Sequence, residues 1–156
     1  MAREDLTRVL DDAGAQYELL PHAHTETALA EAQALGLNPA DVGKTLVVET
    51  PEGYVRAVVP AACRVDFGKL REVIGGARKK VHLATEDALQ RDYGDFELGA
   101  VSPFGGKQQD KVIVDRRLAE RESVVVEAGS HDESLRLSTQ DLVRVANAEV
   151  ADICED

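Results

Sequence analysis

Apolar residues recur along the chain with two different spacings, which separate helices from strands. Leu6, Val9, Leu10 and Ala13 follow the i, i+3, i+4, i+7 spacing of an amphipathic helix, and a glycine comes next. We therefore predict a helix over residues 4–13. Similar patterns, preceded by residues suited to capping, predict helices at residues 28–35, 66–73, 85–94 and from Ser138 onwards.

Short β-branched and apolar runs predict the strands. Residues 45–50 and 54–60 are two such runs, and Pro51-Glu52-Gly53 between them predicts a hairpin. Further strands are predicted at residues 17–20, 80–83, 111–115, 123–128 and 135–137. Because strands and helices are interspersed and some strands pair as hairpins, the pattern indicates an α+β fold with a mixed, curved sheet and helices packed around it.

Length and composition fit one domain over residues 1–156. The chain is 44% hydrophobic and 30% charged, which is ordinary for a soluble domain with a real core. No stretch approaches 18 apolar residues, and the first residues lack the pattern of a signal peptide, so we expect a cytoplasmic protein. Cys63 and Cys154 stand alone, which argues against a disulfide framework or a structural zinc site.

The charge is uneven. The chain carries −11 in total, which disfavours binding of nucleic acid through the whole surface. The segment 64–80 nevertheless holds six basic residues against two acidic ones. Such an island suits one end of an RNA, and it equally suits a solvated helix face followed by a turn. The candidate RNA contacts are Arg64, Lys69, Arg78, Lys79 and Lys80.

Lys44 stands in Val42-Gly43-Lys44-Thr45, which resembles the end of a Walker A phosphate loop. That loop requires a further glycine five residues before Gly43, where this chain has Asn38. It also opens a helix, whereas a strand follows here. We therefore reject a nucleotide-binding loop and regard Lys44 as a cation at the start of a strand.

A second motif begins 55 residues later, at Gly99-Ala100-Val101-Ser102-Pro103. One interpretation is a tight connection between a helix and the strand at 111–115. The other is a ligand loop, in which Gly99 admits close approach and the N–H groups of Gly99 and Ala100 serve as donors for an oxyanion. In that case Pro103 stiffens the loop, and Ser102 donates a hydroxyl or caps a turn.

The histidines give weaker indications of function than Lys44 and the glycine loop. His22 and His24 have no third ligand at metal spacing, so no metal site is predicted. His131 follows the strand at 123–128, and its position allows three interpretations. It orients a water, it contacts a substrate amine, or it is a solvated turn residue. No G-x-S-x-G elbow supports a serine–histidine–acid triad.

Four motifs in this order resemble the YbaK/ProX family. They are Leu35-Gly36-Leu37-Asn38-Pro39, Val42-x-Lys44-Thr45-Leu46, Gly99-Ala100-Val101-Ser102-Pro103-Phe104-Gly105 and Ala128-Gly129. These proteins are freestanding aminoacyl-tRNA deacylases related to the editing insertion of bacterial prolyl-tRNA synthetases. The similarity extends over roughly residues 5–150.

The resemblance implies a barrel-like mixed sheet with a pocket at its mouth, and hydrolysis of the ester that joins a wrong amino acid to the terminal adenosine of tRNA. It implies no cofactor, no metal and no covalent intermediate. Lys44 matches the lysine on which activity in the family depends, and Gly99 and Ala100 match the glycine loop. The substrate-binding residues expected on this basis are His22, Ser102, Pro103, Gly129 and His131.

The chain departs from its relatives at three places that border the expected amino-acid pocket. Gly43 stands where others have Ala or Tyr, Glu127 stands where a small hydroxyl residue is frequent, and residues 130–132 replace a basic tripeptide of one branch. The amino acid removed (Ala, Cys, Ser or Pro) is therefore left open. The expected partner is the 3′ end of aminoacyl-tRNA. The alternative is a non-catalytic module that docks on a synthetase or on tRNA.

Overall fold

The computed structural model describes residues 2–75, 80–108 and 110–156. The helices in these ranges are α1 (Ala2–Asp12), α2 (Ala28–Leu35), α3 (Phe67–Ile74), α4 (Glu86–Asp92), α5 (Arg116–Ala119) and α6 (Thr139–Ala146). The strands are β1 (Tyr17–Pro21), β2 (Gly43–Thr50), β3 (Gly53–Pro60), β4 (His82–Leu83), β5 (Lys111–Asp115), β6 (Ser123–Ser130), β7 (Glu133–Ser138) and β8 (Glu149–Ala151). The predicted α+β class is confirmed.

Helix ends follow local capping chemistry. Thr27 caps α2 by accepting from the Ala30 amide, and Gly36 ends that helix at φ 67°. Ser138 caps α6 through the Asp141 amide, as predicted. The sequence pattern missed α5, which has only four residues.

The strands form two sheets. The larger has the order β4-β2-β3-β5-β8 and is mixed, because β3, β5 and β8 run parallel while β2 is antiparallel to both of its neighbours. The predicted β2–β3 hairpin is confirmed. The smaller sheet, β1-β7-β6, is antiparallel. A parallel bridge from Val42 to Val125 connects the two sheets.

The main core fills the space between the two sheets and their helices. Leu6 and Leu10 of α1 pack there with Val58 of β3, Val126 of β6 and Leu142 of α6, and all of them are buried. No helix in the described ranges combines the length and apolar character needed to cross a bilayer.

Candidate active site

A cleft of about 430 Å³ opens along the free edge of β2. On that edge the bridge at Val42 joins β6, and the pairing at Val48 joins β4, so no described strand pairs with residues 44–46 between them. The start of α2, the β4–α4 connection, the loop at 99–101 and Glu127 complete the walls. The volume falls within the range of ligand pockets, roughly 300–1,000 Å³.

The backbone of Thr45 points into this gap. The Val47 carbonyl accepts from the Ala84 amide at 2.9 Å, so the polar groups of Val47 face away from β3. Alternate residues of a strand direct their N–H and C=O to the same edge. Thr45 therefore presents a donor and an acceptor to the cleft that it lines.

Lys44 lines the cleft, as the sequence argument required. In the parallel register set by Val42 and Val125, it lies level with Glu127 of β6. A Cβ on Gly43 would come within 3.1 Å of Leu118, which explains why glycine precedes Lys44 here. Lys44 is half-buried and forms no salt bridge with any described residue, so its charge is available to a ligand.

Gly99 lines the same cleft as Lys44, across 55 residues of sequence. Its φ of 84° lies in the left-handed region, which glycine adopts without strain. No described group accepts a hydrogen bond from the amides of Gly99 and Val101, and both residues contact the cleft. The expectation for Ala100 was wrong, because its amide donates to the Glu97 carbonyl at 2.9 Å and the residue is fully buried.

The loop after β6 holds the Gly99 loop in place. The Glu97 amide donates to the Gly129 carbonyl at 2.8 Å, and the Glu97 carboxylate accepts from the His131 amide at 3.0 Å. The His131 Nε2 lies 2.6 Å from the Leu98 carbonyl and must donate to it. Gly129 and His131, expected at the substrate, are buried and absent from the described cleft lining, and they position the loop instead.

Arg56 fixes the other end of this loop. It is 1% exposed, and its guanidinium donates to the carbonyls of Ser102 at 2.8 Å and Gly105 at 2.7 Å. Its Nε also pairs with Asp110 at 3.0 Å. Sequence reasoning missed this residue, although an arginine inside an apolar strand is a signal that can be recognised.

Ser102 and Pro103 were also expected to bind the substrate, and the structure places them elsewhere. Both are buried, and neither belongs to the described lining of the cleft. The Ser102 hydroxyl has no hydrogen-bond partner among the described residues. The Arg56 guanidinium accounts for their placement, because it draws the backbone of this segment inward.

Two buried carboxyl groups meet behind the cleft wall. Glu127 is 6% exposed and lines the cleft, and Glu31 of α2 is fully buried beside it. Burial and the neighbouring Glu31 raise the pKa of Glu127 to about 9, and burial also raises the pKa of Glu31. The two adjacent buried carboxyl groups therefore resist being ionised together, and Glu31 Oε1 has no hydrogen-bond partner among the described residues.

His22 reaches this pair from the partly exposed side. Its Nδ1 lies 2.7 Å from the Ala23 carbonyl and must donate to it, and its Nε2 lies 2.8 Å from the Ser134 hydroxyl. The Ser134 hydroxyl donates to Glu31. His22 thus supports Glu31 through Ser134 and does not line the described cleft.

The basic island is partly neutralised. The Lys69 ammonium lies 3.2 Å from Asp152 and 3.0 Å from Asp156, and it donates to the Cys154 carbonyl. Arg64 and Lys80 are exposed. Arg78 and Lys79 lie outside the described residues. No three His, Cys, Asp or Glu side chains in the described ranges are grouped as metal ligands.

The fold and the cleft together define a small α+β domain that combines an unpaired lysine with free backbone amides in one ligand-sized cavity. Residues 22–145 match the family model of the aminoacyl-tRNA editing domain, and the chain belongs to this family.

Sequence similarity to known proteins extends over nearly the full length of this chain. The chain is 28% identical to the prolyl-tRNA editing protein ProX of Acetoanaerobium sticklandii, covering 94% of this chain and 92% of that one. It is 26% identical to the multifunctional Ser/Thr-tRNA deacylase ProXp-y of Escherichia coli K12, covering 96% and 91%. A solved structure of a proposed trans-editing enzyme for prolyl-tRNA synthetase superposes with a TM-score of 0.88 at 25% identity, covering 99% and 98%.

Proposed function

We propose that this protein hydrolyses the ester of a mischarged aminoacyl-tRNA that carries a small amino acid. The observation that carries the proposal is the convergence of Lys44 and Gly99 on one cleft. Family membership and the names of the relatives point to the same reaction. An aminoacyl ester is already activated, so positioning and oxyanion stabilisation suffice to accelerate its hydrolysis.

Each cleft group has a task in this reaction. The Lys44 ammonium binds a phosphate near the terminal adenosine and fixes the pose of the ester. The amides of Gly99 and Val101 donate to the carbonyl oxygen as water attacks and negative charge develops there. The ester C–O bond then breaks, and the ribose oxygen leaves with a proton, helped by the neighbouring ribose hydroxyl.

Two exposed leucines extend the cleft outward. Leu29 and Leu83 are each 49% exposed, and both line the cavity. Exposed apolar side chains at a pocket mouth commonly mark a binding surface. They provide a face for the terminal adenosine, while the apolar inner wall limits the size of the amino acid.

The body of the tRNA and the location of the protein are further parts of this proposal. Among the described basic residues, Arg64 and Lys80 are exposed and available to the acceptor stem. Lys80 lies three residues before Leu83, and Leu83 lines the cleft. We further expect action in the cytoplasm, and an aminoacyl-tRNA synthetase is a candidate partner that delivers the substrate.

The decisive experiment measures deacylation of a panel of tRNAs charged with Ala, Cys, Ser, Thr or Pro. We expect wild type to exceed the buffer rate on at least one member. Lys44→Ala should lower kcat/KM about 100-fold or more through loss of positioning. Lys107→Ala, at an exposed lysine away from the cleft, is the matched control and should retain activity. Wild-type rates equal to buffer on every tRNA would refute the proposal.

A further inference from the structure

The cleft has two charged poles. Lys44 on β2 and Glu127 on β6 both line it and lie level in the strand register, yet they form no salt bridge with one another within the described part of the chain. Glu26 is the other acidic residue of the lining. Its side chain is 74% exposed and already bonds His24, so Glu127 is the buried acid of the cleft.

Glu127 and Glu31 share one proton and therefore keep one negative charge between them. Two adjacent buried carboxylates cannot both ionise without strong repulsion. Ser134 donates to one oxygen of Glu31, and the other oxygen has no hydrogen-bond partner among the described residues. No described Lys or Arg side chain pairs with either carboxyl, and His22 reaches Glu31 only through Ser134.

A buried carboxyl of this kind attracts a cation that enters the cleft. Buried charge is costly unless it is paired and hydrogen-bonded. Glu127 lines the cavity, and the Thr45 carbonyl faces the gap in the sheet that forms it. Together they suit an ammonium group, which donates several hydrogen bonds.

We propose that Glu127, held by Glu31, binds the α-ammonium group of the aminoacyl moiety, and that Lys44 at the other pole binds a phosphate. This inference rests on the proposed deacylase function and adds the chemical feature by which the cleft selects its substrate. An aminoacyl-nucleotide carries a cation and an anion on either side of its ester, which matches the two poles. Glu127 is thereby a specificity residue, and Glu31 is a positioning residue behind it.

The test compares one aminoacyl-tRNA with its 2-hydroxyacyl counterpart, prepared by nitrous acid deamination. The substrate is the panel member with a primary α-amino group that wild type cleaves fastest, and each kcat/KM is divided by the uncatalysed rate of the same ester. A charge-assisted hydrogen bond corresponds to about a tenfold to hundredfold effect. We expect wild type to prefer the amino ester by that factor, mainly through KM.

Variants separate Glu127 from the rest of the cleft. Glu127→Gln should cleave both esters at nearly equal normalised rates, while Glu26→Gln, the matched cleft acid, should keep the preference. Absence of a preference in wild type would overturn the inference even if Glu127→Gln failed to fold, as would a preference that survives in folded Glu127→Gln. Hydrolysis of both esters without preference refutes only this inference, whereas hydrolysis of neither refutes the deacylase function as well.

Discussion

Buried charged side chains are the residues at which this molecule departs most from an ordinary core. Glu31, Arg56 and Glu127 each have 6% or less of their surface exposed. Glu127 lines the cleft, Glu31 lies behind it, and Arg56 holds the loop that forms its wall. Their burial therefore serves the site, at a cost in stability that apolar residues would avoid.

The first prediction concerns how stability depends on pH through Glu127. Its pKa is about 9 in the folded chain and 4.5 in the unfolded chain, because burial, Glu31 and Glu97 all oppose ionisation. The folded state therefore holds the proton more tightly, and its contribution to stability is full below pH 4.5 and is lost as pH rises towards 9. We expect the unfolding free energy of wild type to fall relative to Glu127→Gln across this window, by at most about 1.4 kcal/mol per pH unit.

The measurement is urea unfolding of wild type and Glu127→Gln at pH 5.5, 7 and 8.5. Only the difference between the two proteins is informative, because carboxylates with lowered pKa, such as Asp152, act in the opposite direction. Glu31 titrates with Glu127, and the nearby Glu97 adds to the repulsion. Parallel stability profiles for the two proteins would contradict the shared-proton arrangement.

Individual residues also show which parts of the candidate site could be predicted from the sequence and which could not. Lys44 and Gly99 were predicted to share a site because a cation and a glycine loop are chemically distinctive even without coordinates, and both line one cleft. Ala100 was misassigned because the partner of an amide depends on how the loop turns, and here Glu97 accepts it. Glu31 carried no signal, because its neighbour Glu127 lies 96 residues away in the chain.

At the scale of elements, the loop at 99–106 is held from both ends. Glu97 joins its start to the turn after β6, and Arg56 of β3 binds carbonyls near its end. Loops that carry catalytic donors gain from such support, because a small displacement weakens the hydrogen bonds that develop in the transition state. The position of the Gly99 amide thus depends on side chains from two sheets.

We predict that Arg56→Met destabilises the fold by about 3–5 kcal/mol, because it removes the cation that pairs with the buried Asp110 and leaves it only the Tyr93 hydroxyl as a side-chain donor among the described residues. Arg56→Lys restores the charge without the planar fork and should recover only part of the loss. Urea unfolding measures the effect. At a temperature where both variants are folded, kcat should still be reduced, since the Gly99 loop has lost its anchor.

Arg91→Met is the control for this prediction. Arg91 also contacts an aspartate, Asp92, but its side chain is 67% exposed, so its substitution should have little effect on stability. Equal effects of the Arg56 and Arg91 substitutions on stability would show that burial of the guanidinium is not the cause.

Most helices and strands could be predicted from the sequence pattern, but the pairing of strands that are distant in the chain could not. The β2–β3 hairpin follows from two runs and a turn, whereas the parallel pairing of β8 with β5 involves three residues with no periodicity to detect. The gap that forms the cleft arises because β6 and β4 meet the same edge of β2 at different heights. That relation is a property of the assembled sheets and cannot be read from any one segment.

At the scale of the whole molecule, a net charge of −11 must be reconciled with binding to tRNA. The two are compatible because some of the positive side chains remain unpaired in the folded protein. Lys69 is bound by Asp152 and Asp156, and Arg117 pairs with Asp115 and Asp152, so these cations hold the C-terminal segment to the domain. Lys44 and Lys80, by contrast, form no salt bridge with a described carboxylate. We infer that the first group serves stability and the second serves the substrate.

This division predicts opposite results for two lysines of the same basic island. Binding of a tRNA with a non-hydrolysable amide at its 3′ end, followed against salt concentration, reports the number of phosphates neutralised. Lys80→Ala should weaken binding and reduce the slope of log K against log salt by about 0.7–0.9 while leaving the melting temperature unchanged. Lys69→Ala should leave the slope unchanged and lower the melting temperature, because Asp152 and Asp156 each lose one of their cationic partners. If Lys69→Ala reduced the slope as much as Lys80→Ala, Lys69 would have to leave its carboxylates for the tRNA, and the separation of structural from substrate-binding cations would be wrong.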